Sequence, residues 1–225
     1  MSSIAASPTL SEALRTRRPS TFAVYVWELR KLRSQKRTYM GFGLAVILPL
    51  IFVIVQNVHQ RHGNGPGDTI FGREITQSGL ATPVLMLLFE SVFFLPLIAA
   101  LVAGDIVAAE DGNGTLKTIL TRSVDRGQVF AAKVLAALTY ATVAVFLSAL
   151  VATIGGVASW GFNHITTFSG SVVSAPEGLL LVFAANACYL IPLLTVACVG
   201  VLLSTATRNS TAAVVGTVGF VILLY

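Results

Sequence analysis

The sequence predicts an all-α integral membrane protein, a polytopic helical bundle that crosses the bilayer several times. Of its 225 residues, 55% are hydrophobic and only 11% are charged, whereas soluble domains carry about 25% charged residues. The charges are also clustered, because long uncharged stretches alternate with short polar ones. A bilayer imposes this pattern, since a helix that crosses its hydrocarbon core needs about 20 mostly apolar residues.

The first 38 residues precede any long apolar stretch. We expect residues 1–20 to be a mobile cytoplasmic N-terminus, because they are rich in Ser, Thr and Arg. Residues 21–38 predict an amphipathic helix, capped by Thr21, that lies in the plane of the lipid headgroups. The alternative is a basic helix that faces water. The apolar stripe of this helix consists of Phe22, Tyr25, Val26, Leu29 and Leu32.

Apolar segments separated by polar ones follow to the end of the chain. The predicted spans cover residues 39–58, 80–104, 134–159, 178–203 and 211–225. The last segment is shorter than the roughly 20 residues that a span needs. We therefore expect about five visible spans, of which the fifth is incomplete.

The distribution of Lys and Arg predicts the orientation. Thirteen of these residues lie in the N-terminal segment, in residues 105–133 and in the link 204–210, and two lie on the opposite side. Positively charged loops stay in the cytoplasm. The N-terminus, the 105–133 loop and the 204–210 link are therefore expected to be cytoplasmic.

The loop of residues 105–133 has three parts. Residues 105–111 extend the second span as an acidic helical end, and Gly112-Asn113-Gly114 breaks that helix with residues that tolerate positive φ. Thr115 then caps a short helix, and Ser123 caps the helix that re-enters the membrane. The apolar residues of the short helix share one face at i, i+3 and i+4: Leu116, Ile119 and Leu120.

Such a helix, held between two spans by tight turns, is suited to dock its apolar face into a groove on a cytoplasmic partner. The alternative is an ordinary loop whose helix lies on the lipid surface. The residues alone leave both interpretations open.

The same loop resembles the first large cytoplasmic loop of ABC-2 type transporter permeases. That loop typically has an acidic residue, then Gly-Thr-Leu and a basic residue, a pair of aliphatic residues and a Pro-Val-Ser-Arg-like turn. The matching positions here are Glu110, Gly114-Thr115-Leu116-Lys117, Ile119-Leu120 and Ser123-Val124-Asp125-Arg126. Ser123 and Asp125 depart from the family by standing in its Pro and Ser positions. Two further parts of the sequence fit the family pattern: Lys133 and the segment Glu28-Leu29-Arg30-Lys31-Leu32.

The resemblance implies the transmembrane subunit of an ATP-binding-cassette transporter, an exporter in the cell membrane with six spans in the full chain. Its partners would be a cytoplasmic ATP-binding subunit, a second permease subunit in a homo- or heterodimer, and membrane lipid, with no nucleic acid. The chain itself would bind no cofactor, while ATP and Mg would bind to the partner. Residues 115–121 would be the coupling helix. The residues that couple to the ATPase would be Glu110, Gly114, Thr115, Leu116, Lys117, Ile119, Leu120 and Arg126.

The rest of the chain offers few sites for chemistry. It has no Gly-x-x-x-x-Gly-Lys-Ser/Thr phosphate loop, so we do not expect the chain to be an enzyme and place the ATPase on another polypeptide. Three histidines, His59, His62 and His164, lack carboxylates at ligand spacing, so no metal site is expected.

Glu90, inside the second span, is a possible residue of the transport path, because acids within membranes usually face a cavity or a partner. It also allows an alternative function, a proton-coupled secondary transporter. A further alternative is a membrane anchor that transports nothing.

Overall fold

A computed structural model describes residues 20–61, 72–112, 114, 125–166, 170–207 and 209–224. Residues 1–19, most of the predicted mobile N-terminus, lie outside the described residues. So does the predicted coupling helix, residues 115–121.

The described residues form helices and one two-stranded sheet. The helices are α1 (Thr21–Ser34), α2 (Lys36–Arg61), α3 (Gly72–Gln77), α4 (Ala81–Val92), α5 (Phe94–Ala103), α6 (Ala108–Gly112), α7 (Arg126–Trp160), α8 (Ala175–Ala206) and α9 (Ser210–Leu224). The strands β1 (Ile165–Thr166) and β2 (Val172–Val173) pair in antiparallel register, with Ile165 opposite Val173. The predicted all-α membrane architecture is confirmed.

Three helices of the described residues, α2, α7 and α8, are long and apolar enough to cross a membrane. The segment α4–α5, extended through α6, provides a fourth crossing if its two halves are one broken span. Helix α9 is apolar but has only 15 residues.

The second predicted span is bent by 57° between α4 and the helical segment that follows it. The bend falls at Phe93, and Pro96 stands in the first turn of α5. A proline has no N–H to donate to the carbonyl four residues earlier, and its ring clashes with that carbonyl. The hydroxyl of Tyr189 in α8 donates to the Ser91 carbonyl at 3.0 Å, beside the bend. The bend therefore has a local cause and a stabilising contact.

Helix α7 is the centre of the bundle and contacts α1, α2, α4, α5 and α8. Its buried face repeats every four residues and consists almost entirely of small side chains: Ala132, Ala136, Tyr140, Ala144, Ser148, Ala152 and Gly156. Small residues let membrane helices approach closely, so that van der Waals contact and interhelical hydrogen bonds can hold them together. This stripe explains why a single helix can pack against so many others.

Large apolar side chains cover the outside of the bundle. Examples from α2, α7 and α8 are Ile54, Leu150, Leu180, Ile191 and Leu202, all exposed. Soluble monomers rarely expose contiguous apolar surfaces of this kind. The surface is therefore suited to lipid.

The two ends of the bundle differ in chemistry. The basic end comprises residues 20–38, 104–112, 125–133, 204–207 and 209–210, which ion pairs and hydrogen bonds hold together. The hairpin end comprises residues 57–61, 72–80, 159–166 and 170–174. Trp160 donates there to Gln60 at 3.0 Å, and Asn57 donates to Ser159 at 2.8 Å. Helix α2 connects them with 26 residues, about 39 Å at 1.5 Å per residue.

Several expected boundaries differ in the structure. Helix α1 ends at Ser34 instead of residue 38, and Ser20 caps it instead of Thr21, because the Ser20 hydroxyl accepts from the Ala23 amide at 3.2 Å. Helix α7 begins at Arg126 with Asp125 as its N-cap, so the predicted cap Ser123 is wrong and the 105–133 loop is shorter than expected.

The predicted acidic helical end is also interrupted. Residues 104–107 form turns between α5 and α6 instead of continuing the helix. The Ser204 hydroxyl of α8 accepts the freed amides of Val107 and Ala108 at 3.1 and 2.9 Å. Helix α6 then ends at Gly112, and Gly114 has a φ of 70°, as the glycine pair predicts.

At the hairpin end, Gly79 and Gly156 bring two backbones into direct contact. A Cβ atom added at Gly156 would lie 2.3 Å from the Gly79 carbonyl oxygen, and one added at Gly79 would lie 2.3 Å from that of Gly156. Because backbone atoms would have to move, no side-chain rotation can relieve either clash.

We expect Gly156→Ala to lower the free energy of unfolding by about 1–3 kcal/mol, the usual cost of overpacking. Thermal unfolding in detergent micelles measures the change. Gly43→Ala in α2 is the matched control, since its Cβ would meet nothing within 4 Å and alanine favours a helix over glycine by about 0.5–1 kcal/mol. Equal melting temperatures for the two variants would contradict this packing.

Candidate functional site

The most unusual feature of the basic end is a buried group of four charged side chains, which we call the ion-pair layer: Glu28, Lys31, Glu110 and Lys133. Lys133 and Glu28 are each only 1% exposed, and Glu110 is also buried. The Lys133 ammonium lies 3.1 Å from a Glu28 oxygen and 2.8 Å from a Glu110 oxygen. Lys31 also pairs with Glu110. Two carboxylates and two ammonium groups thus balance each other.

Three oxygen atoms lie within 3.2 Å of the Lys133 ammonium. This group has three N–H donors, and a third acceptor, the Ile106 carbonyl, lies at 3.2 Å. Removing an ion from water costs several kcal/mol in a real protein, and its partners offset that cost only when the geometry satisfies every donor. The turn at residues 104–107 supplies the last acceptor that Lys133 requires.

Lys31 lies at the edge of the layer and is partly exposed. Burial lowers the pKa of Lys31, and the positive charge of Lys133 lowers it further, while Glu28 and Asp105 oppose the shift. Its ammonium also lies 5.7 Å from the centre of the Trp27 ring, a cation–π contact.

The sequence of α1 explains how Glu28 reaches this layer. Val24, Glu28 and Leu32 are spaced four residues apart and form one buried helical face. Val24 packs against Val129 and Ala132 of α7, which places Glu28 against Lys133. Phe22, another member of the predicted apolar stripe, is 71% exposed. The buried face of α1 is therefore the one that carries Glu28.

A second polar cluster fastens the start of α2 and the start of α9. Asp105 pairs with Arg37 and accepts a hydrogen bond from the Ser210 hydroxyl, and Arg37 donates to Ser210 at 3.1 Å. Asp105 is buried. Together with the ion-pair layer, this cluster links α1, α2, α6, α7 and α9 at one end of the bundle.

Of the residues expected to couple to an ATPase, three lie in the described part of the chain. Glu110 is in the ion-pair layer, Gly114 follows the end of α6, and Arg126 is the exposed first residue of α7. The other five lie outside the described residues: Thr115, Leu116, Lys117, Ile119 and Leu120. The structure therefore positions the two flanks of the predicted coupling helix, and its contacts stay a prediction.

Glu90 is buried in α4, three residues before the bend. The Ser148 hydroxyl of α7 donates to one carboxyl oxygen at 2.5 Å. The other oxygen, Oε1, is buried and has no hydrogen-bond partner among the described residues. A role for Glu90 in a transport path stays a prediction.

The part of the chain that the structure describes holds no group of three His, Cys, Asp or Glu side chains arranged to bind a metal. His62, one of the three histidines considered, lies outside that part.

The sequence pattern does not identify Glu28, Lys31 and Lys133 as one unit. The two lysines count there only toward the charge distribution that predicts orientation, and all three residues fit the family pattern. A signal was nevertheless present, because Glu28 stands on the same helical face as Val24 and Leu32. An acid on an apolar stripe indicates a buried partner of opposite charge.

A family model described as "ABC-2 family transporter protein" matches residues 26–223. The chain belongs to the ABC-2 family of transporter proteins. The matched range contains the whole ion-pair layer and every predicted coupling residue. No curated protein and no solved structure matches the chain significantly.

The resemblance expected from the loop is therefore confirmed. As an ABC-2 permease, the protein is a multi-pass membrane component of an ABC transporter and is not itself the catalytic subunit. Family membership favours this function over the two alternatives, a proton-coupled secondary transporter and an anchor that transports nothing.

We expect Lys133→Met to destabilise the ABC-2 permease by about 3–5 kcal/mol, because it leaves buried carboxylates without their shared cation. The double variant Glu28→Gln with Lys133→Met should lose less than the sum of the two single losses, by about 0.5–3 kcal/mol. Unfolding in detergent measures the two single variants and the double variant.

Lys36→Met, at an exposed lysine of α2, is the matched control and should change stability by about 0.5 kcal/mol or less. Additive losses in the double variant would contradict direct pairing.

Proposed function

We propose that this ABC-2 permease is the membrane-spanning subunit of an ATP-driven exporter, and that a separate ATP-binding subunit docks on its basic end. In this proposal the N-terminus and the basic end face the cytoplasm, and the protein resides in the cell membrane. ATP and Mg bind to the partner, which supplies the hydrolysis. A second permease subunit, identical or related, completes the transport path.

The observation that carries the proposal is the fixation of both flanks of the predicted coupling helix. Glu110 precedes residues 115–121 and Lys133 follows them, and their side chains meet at 2.8 Å in a buried layer. A loop with loosely held ends would absorb a push from a partner. A loop whose ends are joined by buried charges transmits that push to the helices that carry the charges, α6 and α7.

The contacts define the route of that transmission. Lys133 belongs to α7, which packs against most of the bundle, and Glu28 connects the same lysine to α1. Displacement of residues 115–121 would therefore move α6, α7 and α1 together. Closure of the nucleotide-binding subunits would in this way tilt the central helix and open the path alternately to the two sides of the membrane.

The charge distribution supports the proposed orientation. Of the nine Lys and Arg residues in the described part of the chain, seven lie at the basic end, and positively charged loops stay on the cytoplasmic side. The remaining two, Arg61 and Arg73, belong to α2 and α3 at the hairpin end. An ATP-binding partner requires the cytoplasm, so the proposed docking site and the expected orientation agree.

We expect Leu116→Asp with Ile119→Asp to abolish association with the ATP-binding subunit, while the permease still inserts into the membrane. Two carboxylates on the apolar face would have to be desolvated at the interface, which is costly. Co-purification of the partner with the tagged permease measures the effect. The matched control is Thr118→Asp with Thr121→Asp, which adds the same charge to the opposite face of the predicted helix. Unchanged association of the Leu116/Ile119 variant would reject this helix as the docking element.

The orientation has its own test, in a background with Cys188→Ser and Cys198→Ser. Gly127→Cys probes the basic end, where an added Cβ meets no atom within 4 Å, and Ser171→Cys probes an exposed position of the hairpin end. A membrane-impermeant maleimide should label Ser171→Cys in intact cells and Gly127→Cys only after permeabilisation. The reverse pattern would overturn the proposed orientation.

A further inference from the structure

A groove of about 400 Å³ lies between α1, α2 and α7 on the side of the bundle near the basic end. Its walls include Leu29 and Arg33 from α1, Tyr39 and Phe42 from α2, and Tyr140 and Val143 from α7. The volume is in the range of pockets that bind small molecules. The groove involves neither the predicted coupling helix nor Glu90.

The lining of the groove is apolar apart from one end. Phe42 and Tyr140 contact each other with ring centroids 4.8 Å apart. The Tyr140 hydroxyl is directed to the Thr38 carbonyl at 3.5 Å, and the Thr139 hydroxyl is bonded to the Tyr25 hydroxyl at 2.8 Å. Since the Tyr140 and Thr139 hydroxyl groups already have partners within the protein, this part of the wall offers a ligand mainly hydrocarbon contact.

The charge at the mouth of the groove belongs to Arg33, which is exposed. Two other cations near it are paired, since Lys31 binds Glu110 and Arg37 binds Asp105. Among the described residues, Arg33 takes part in no ion pair, and neither do its exposed neighbours Arg30 and Lys36. The mouth therefore presents uncompensated positive charge beside an apolar cleft.

One end of the groove lies near the start of α2. Tyr39, which lines it, is exposed, and aromatic residues of this kind collect at the level of the lipid headgroups. Val143 lies one turn beyond Tyr140 on α7, and Tyr140 meets Thr38 beside Tyr39. The apolar wall therefore continues from the level of Tyr39 along α7.

We propose that this groove binds one anionic phospholipid, with its phosphate on Arg33 and one acyl chain along Phe42 and Val143. The charge at the mouth and the apolar wall beneath it fit the two parts of such a molecule. A bound lipid would fill the space between α1, α2 and α7 and hold α1 against the bundle. The proposal does not depend on the direction of transport or on the partner subunit.

Native mass spectrometry of the purified full-length chain tests the site, with phosphatidylglycerol and phosphatidylcholine added separately to detergent micelles. The chain should retain one phosphatidylglycerol and release phosphatidylcholine more easily. Arg33→Gln should weaken retention of phosphatidylglycerol roughly fivefold, the effect of one basic residue at an anionic surface. Arg30→Gln, an equally exposed arginine outside the groove lining, is the control and should change retention less than twofold.

Val143→Trp tests the acyl-chain part of the site by filling the groove from an exposed position. It should abolish retention of phosphatidylglycerol while Arg33 remains in place. Equal losses for Arg33→Gln and Arg30→Gln would overturn the proposal in favour of a diffuse attraction to the basic surface. Equal retention of the two lipids, or full retention by Val143→Trp, would also overturn it.

Discussion

The buried ammonium of Lys133 is the constraint on which the arrangement of the basic end depends. A charge removed from water must be paired and hydrogen-bonded, or it costs several kcal/mol. Glu28, Glu110 and the Ile106 carbonyl together surround the Lys133 ammonium. Three parts of the chain must therefore occupy fixed relative positions: the helix before the first span, the turn after the second span and the start of the central helix. None of them can move away alone without leaving a buried charge unpaired.

Inside the bilayer, packing replaces the hydrophobic effect as the source of order, because lipid is as apolar as the helices themselves. The small side chains of α7 let neighbouring backbones approach, and the contact between Gly79 and Gly156 is the closest of these approaches that involve two backbones. Polar contacts are few within the spans and occur at particular places. Ser148 bonds Glu90, and Tyr189 bonds the Ser91 carbonyl beside the bend.

The membrane architecture could be predicted because it depends on composition and on the length of apolar segments, and the loop motif identified the family. The details that failed depend on tertiary contacts. The cap of α1 is Ser20 and not Thr21, and the second span was expected to continue through residues 104–107. The pairing of Glu28 with Lys133 joins residues far apart in the chain, and no local pattern specifies such a pair.

The hydrogen bonds between α2 and α7 have a mechanical consequence. At the hairpin end Asn57 and Gln60 bond Ser159 and Trp160, and near the basic end the Thr38 carbonyl is in contact with the Tyr140 hydroxyl. Two helices that are bonded at two distant points resist sliding and separating, so α2 and α7 behave as one rigid unit across the membrane. A displacement applied to this pair at one surface would therefore reach the other with its amplitude largely preserved, whereas the span broken at Phe93 has no continuous helix to carry one.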